Sequence, residues 1–255
     1  MKKLLLTGIV IAGILASCKK DNVPGQPSPQ EQATTKKISK SVYIYNNEPA
    51  EVEQLTYDAA GRPATYTNDS KKEVFDFKSP TKLLVTRYKL SDNRIESTID
   101  CTLNDKGAIT KMEFKNLAGT ITYTYEFQYN AEGYTTSIKG YNNSSSFEET
   151  IEVNNGNYTA AKRSYNGVLT YNDVYLRTSY TNTIPGGFFA YWPVNNLFGK
   201  ASKNLCAETK SVKLNGDISN NNKYNYNRDA SGTVLSYSID FLTDGAKGNY
   251  AFTYE

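Results

Sequence analysis

Apolar and polar residues alternate along most of this chain, and the cleanest run is "TITYTYEFQY" at 120–129. Ile121, Tyr123, Tyr125, Phe127 and Tyr129 fall on one side of it, and Thr120, Thr122, Thr124, Glu126 and Gln128 on the other. A period of two separates such sets only in an extended strand. "VLSYSIDF" (234–241) does the same with Leu235, Tyr237, Ile239 and Phe241, and "NYAFTYE" (249–255) with Tyr250, Phe252 and Tyr254. Tyr and Thr suit a pleated, half-buried surface. Helical periodicity is almost absent, so the pattern predicts an all-β protein.

One corner recurs between these runs: "LTYDAAGRPAT" (55–65), "CTLNDKGAIT" (101–110), "FQYNAEGYTT" (127–136) and "YNRDASGTVLS" (226–236). Asp or Asn opens each corner, and Gly61, Gly107, Gly133 or Gly232 supplies the positive φ that a tight reversal needs. Each copy reads as a β-hairpin corner. Their spacing approximates multiples of a two-strand unit of about 23–26 residues, and weaker copies at 75–83, 151–159 and 212–218 fill the gaps. Roughly seven units predict an antiparallel meander of about 14–16 strands. A sheet that wide curls, giving a curved sheet, half-barrel or barrel, or two layers.

The start of the chain departs from this pattern. "MKKLLLTGIVIAGILASC" places Lys2 and Lys3 before an apolar run from Leu4 to Ala16, which is too short to span a bilayer as a helix. It reads as a signal peptide over residues 1–17. The box Leu15-Ala16-Ser17-Cys18 resembles the bacterial lipoprotein signal, which implies lipidation of Cys18 and a lipid bilayer as partner. Residues 18–37 are rich in Pro, Gln, Ser and charge, a composition that cannot bury enough surface to fold, and they read as a flexible tether before a single β-rich domain at 38–255. Lys19 stands where some inner-membrane lipoproteins carry Asp, which points to the outer membrane, facing the periplasm or the cell surface.

Charge excludes one class of partner. The chain has 29 basic and 26 acidic residues, and the excess lies in the signal and tether. From Ile38 onward the two signs nearly balance, so the domain offers no general basic surface for nucleic acid.

The chain contains no histidine, which removes Ser-His-Asp and Cys-His machinery and the commonest zinc ligand. No spacing suggests a metal or another cofactor. Cys101 and Cys206 either pair as a disulfide in an oxidising envelope or, as the register of Cys101 with Ile95, Ile99 and Leu103 suggests, stay as core-facing thiols. Glu148, Glu149, Asp173 and Asp240 are candidates for a carboxylate-pair hydrolase, although each also reads as an ordinary strand or turn residue. One segment, 183–204, lacks alternation and gathers Phe188, Phe189, Tyr191, Trp192 and Phe198 between Pro and Gly. It reads as a plug over the apolar face, with a short helix near 196–202, or as an aromatic platform for a sugar with Asn195 and Asn196 as hydrogen-bonding neighbours.

The corner "YDAAGR" (57–62) resembles the hairpins of YD-repeat proteins. With the lipobox, tether and Tyr-rich hairpins, residues 38–255 resemble a family of Bacteroidota lipoproteins of unknown function with a porin-like fold. That resemblance implies a curved or closed meander and lends no activity. The expectation is a non-catalytic, membrane-anchored envelope protein that binds a glycan or a partner protein. The alternatives are a structural component of the outer envelope and a carboxylate-pair hydrolase. A membrane-spanning barrel ranks lower, since Lys, Glu and Arg occur on both faces of several strands.

Overall fold

The computed structural model describes residues 36–184, Trp192 and residues 197–255. The signal peptide, Cys18 and the tether up to residue 35 lie outside the described residues, as do Phe188, Phe189, Tyr191, Asn195 and Asn196.

Among the described residues sixteen strands follow one another: β1 (Ile38–Tyr45), β2 (Glu51–Tyr57), β3 (Pro63–Thr67) and β4 (Lys71–Ser79). Next come β5 (Lys82–Lys89), β6 (Ile95–Leu103), β7 (Ile109–Lys115) and β8 (Ile121–Tyr129). The second half runs through β9 (Thr135–Tyr141), β10 (Ser146–Asn154), β11 (Asn157–Tyr165) and β12 (Val168–Thr181). It ends with β13 (Asn204–Lys213), β14 (Ile218–Arg228), β15 (Val234–Phe241) and β16 (Lys247–Tyr254). Each strand pairs antiparallel with its sequence neighbours, and β1 pairs with β16, with Ser41 opposite Phe252 and Tyr43 opposite Tyr250. The sheet is therefore a closed up-and-down barrel without a free edge.

The register shows which face points inward. Phe77, Leu83, Cys101, Met112, Tyr125, Gly140, Phe147 and Tyr165 form one continuous cross-strand row from β4 to β11. Leu83, Cys101 and Met112 are buried in the core. The neighbouring row on the other face runs Lys82, Thr102, Lys111, Glu126, Lys139 and Glu148. Along these strands the inward row is largely apolar, and opposite charges alternate on the outer face of β7–β10, where cross-strand pairs add about 0.2–1 kcal/mol each.

The four recurring corners are one turn. At Asp58, the backbone N–H groups of Ala60 and Arg62 donate to Oδ1 at 3.0 and 2.9 Å, and the N–H of Gly61 donates to the Asp58 carbonyl at 2.8 Å. Asn104 and Asp229 repeat the whole set, and Asn130 repeats it at Tyr134 and Gly133. A fifth copy stands at Asn116–Thr120. The glycine φ values of +74° to +93° place each in the left-handed region that closes a three-residue hairpin. Hydrogen bonds from the Arg62 backbone and side chain hold the Asp58 carboxyl below the usual carboxylate range, and the Ser231 hydroxyl does the same for Asp229.

Two local expectations change, and one open alternative is decided. Leu235 is exposed rather than core-facing, because a register shift between Asn227 and Arg228 turns Val234 inward instead. No helix forms at 197–202, where a turn at Leu197–Phe198 leads into an isolated bridge at Gly199. The disulfide is absent: Cys101 and Cys206 are free, on strands seven apart by the shorter way round the wall. Burial pushes both thiols up, Cys101 strongly so, while the Arg177 charge partly offsets this at Cys206. In a Cys18→Ser chain, thiol titration should give the same count before and after reduction, with Cys101 reacting only on unfolding. A count that rises on reduction would reveal the bridge.

Candidate functional site

Three places gather polar or aromatic groups in ways the barrel alone does not require. The first is the plug, the connection between β12 and β13. Trp192 is fully buried, edge-on to Phe75 at 4.9 Å between centroids and stacked on Phe198 at 5.7 Å. Its Nε1–H donates to Glu73 Oε2. Glu73 on β4 is itself fully buried, and its Oε1 accepts from Arg87 Nε and Nη2 at 2.8 and 2.7 Å and from Lys71 Nζ at 3.0 Å.

Backbone contacts stitch the described end of the plug to one end of the barrel. The N–H of Ile109 donates to the Leu197 carbonyl at 2.8 Å, Thr135 Oγ1 donates to the Phe198 carbonyl at 2.9 Å, and the Tyr158 hydroxyl donates to the Lys200 carbonyl at 2.6 Å. Gly199 has a φ of +79°, and a Cβ there would lie 2.7 Å from the Tyr129 ring and 2.8 Å from the Gly133 carbonyl, so no other residue fits. With no face of its ring exposed, Trp192 acts as an anchor for the plug rather than a surface platform.

The second place is an interior cluster on β10–β12. Arg163 Nη2 donates to Glu149 Oε1 at 2.7 Å and lies 3.8 Å from Asp173 Oδ2. Burial pushes the Glu149 carboxyl above its usual range, the Arg163 charge pulls it back, and Asp173 pushes it up again. Of the four candidate carboxylates, only Glu149 and Asp173 are brought together, and Arg163 contacts both. Glu148 faces outward opposite Lys139. Asp240 is also on the outside, 4.0 Å from Lys247 Nζ, and accepts from Asn225 Nδ2 at 3.2 Å. Among the described residues no group of three or more His, Cys, Asp or Glu is placed to hold a metal ion.

The third place is a hollow of about 410 Å³ on the outer wall, across β14, β15, β16 and β1. Two cross-strand rows build it. Asn227, Ser236, Ala251 and Val42 stand opposite one another in the first, and Asn225, Ser238, Asn249 and Ile44 in the second. Behind this wall Tyr43, Tyr250 and Tyr237 stack at 4.3 and 4.7 Å, with Tyr226 5.6 Å from Tyr237. The eight outward positions carry no charge, unlike the Lys–Glu row across β7–β10. Hydropathy did not mark this patch, because Asn and Lys both read as polar. The available signal was "NKYNYN" (222–227), which puts Asn on the outer side of a strand where it is disfavoured.

The family described as "Domain of unknown function (DUF4595) with porin-like fold" matches residues 55–236. Among solved structures, a porin-like protein from Bacteroides uniformis is similar at a TM-score of 0.66 and 18% identity, over 86% of this chain and 96% of that one. A porin-like protein from Bacteroides vulgatus is similar at 0.61 and 11% identity, over 86% and 98%. Among curated proteins none matches.

Proposed function

The chain belongs to the family of unknown function with a porin-like fold, and from that premise we propose that it is a lipid-anchored, non-catalytic barrel of the outer envelope that binds a ligand or partner rather than conducting solutes. The observation that carries this reading is the direction of the side chains. A membrane-spanning barrel turns an apolar band toward lipid and polar groups toward its lumen. Here Lys111, Glu126, Lys139 and Glu148 line the outer face of β7–β10, and Met112, Phe127 and Ile138 point inward from the same strands. A charged residue facing the bilayer midplane costs about 2–4 kcal/mol for Lys or Arg, so this wall is built for water.

Membrane attachment then falls to Cys18. The test is to express the full chain with labelled fatty acid, wash membranes with carbonate, and compare Cys18→Ser. Label in the wild type, with the variant released into the soluble envelope fraction, is the expected result. A variant that stays in carbonate-washed membranes after residues 1–17 have been removed by an engineered protease site would show that the barrel itself inserts and would overturn the reading.

A second reading, as an assembly component, is favoured by one observation. At the end away from the plug, the hairpin corners expose Leu90, Leu117, Val168, Leu214 and Leu242, a discontinuous apolar ring suited to a protein partner. A hydrolase reading lacks comparable support, since the two candidate carboxylates that meet, Glu149 and Asp173, share Arg163 between them.

A further inference from the structure

Resting on that ligand-binding reading, we propose that the outer hollow across β14, β15, β16 and β1 is a binding groove for a neutral oligosaccharide. Its dimensions come from the sheet: three inter-strand steps of about 4.8 Å give a length of about 14 Å, and the two rows lie about 7 Å apart. It is concave because Ser236, Ser238 and Ala251 are small at its centre, while Asn225 and Asn227 stand on one side and Val42 and Ile44 on the other.

The lining selects the chemistry of the ligand. Each Asn amide offers two donors and one acceptor, and each Ser hydroxyl offers both functions, which matches the paired donor and acceptor character of ring hydroxyls. Asn225 is already turned by Asp240. Val42 and Ile44 supply an aliphatic wall for the C–H face of a sugar. Anionic ligands find no counter-charge among the eight residues, and in the flanking row Asp240 stands between Lys223 and Lys247, 4.0 Å from Lys247 Nζ. An extended peptide would bind by adding a strand, and a closed barrel presents no edge to receive one.

Two further features support a built surface. Asn225, Asn227 and Asn249 occupy outward positions of strands, where Thr or a branched residue would serve the sheet better. The Tyr43–Tyr250–Tyr237 stack holds the floor from behind, so little ordering remains to be done when a ligand arrives.

The test titrates the full chain in detergent, by calorimetry, with cellohexaose, maltohexaose and mannohexaose, and with an acidic oligogalacturonate as control. At least one neutral series should bind. Ala251→Arg should weaken it by about tenfold or more, as should the milder pair Asn227→Ala with Asn249→Ala, since each removes or blocks hydrogen-bonding positions. Ala251 and both Asn residues are exposed, so the melting temperature should stay unchanged. Neutral binding that survives both variants overturns the groove while leaving a ligand-binding barrel in place. Preference for the acidic glycan overturns the neutral class. Binding to none of the probes, in a chain whose Cys18-dependent anchoring holds, overturns the groove and leaves the anchored barrel standing.

Discussion

Trp192→Ala should lower the unfolding free energy of the barrel by about 3–5 kcal/mol, the range for truncating a large buried aromatic. The ring has no exposure, and its neighbours Phe75 and Phe198 belong to different elements, so neither can move to fill the space without leaving its own partners. Phe198 also leans on Phe127 at 5.7 Å, which joins the plug to β8. Urea unfolding followed by circular dichroism checks this: the midpoint should fall while the slope stays constant. Trp192→Phe keeps much of the volume, loses the indole N–H and part of the fused ring, and should cost less. An unchanged midpoint in Trp192→Ala would mean that the ring is not the plug's anchor.

The alternation of 120–129 was enough to place β8 at Ile121–Tyr129 and to turn Phe127 into the core, although Ile121 at the strand's start is exposed and Thr124 on the other side is buried. The corners were legible for a chemical reason, since an Asp or Asn followed three positions later by Gly fixes the same hydrogen bonds each time. The fifth copy, at Asn116–Gly119, is disguised by Leu117, which stands where the other four corners carry Ala or Asp directly after the opening residue. Closure was not legible. It depends on β1 meeting β16 across more than 200 positions, and a period of two says which face is buried without saying whether the edges join.

The candidate site was legible only as a departure. Loss of alternation in 183–204 marked the plug, but nothing local linked Trp192 to Glu73, 119 positions away. The outer groove was hidden for the opposite reason. Its strands alternate normally, and what distinguishes it is the absence of charge over four neighbouring strands, which appears only when the register is known.

Glu73→Ala should destabilise the barrel by about 3 kcal/mol, the lower end of the range for breaking a buried ion pair. The carboxylate is fully buried, whereas Lys71 and Arg87 keep about a fifth of their side-chain surface in water and so retain part of their hydration. Removing the acid takes away the acceptor that both cations and the indole share. Glu73→Gln keeps an acceptor for Trp192 but not the charge, and its loss should be smaller. The sharper measurement is a double-mutant cycle of Glu73→Gln with Trp192→Phe. If the carboxylate holds the plug through the indole, the two losses should be coupled by about 0.5–3 kcal/mol. Losses that add within about 0.3–0.5 kcal/mol would show two independent contributions, with Glu73 serving only the cations of β4 and β5.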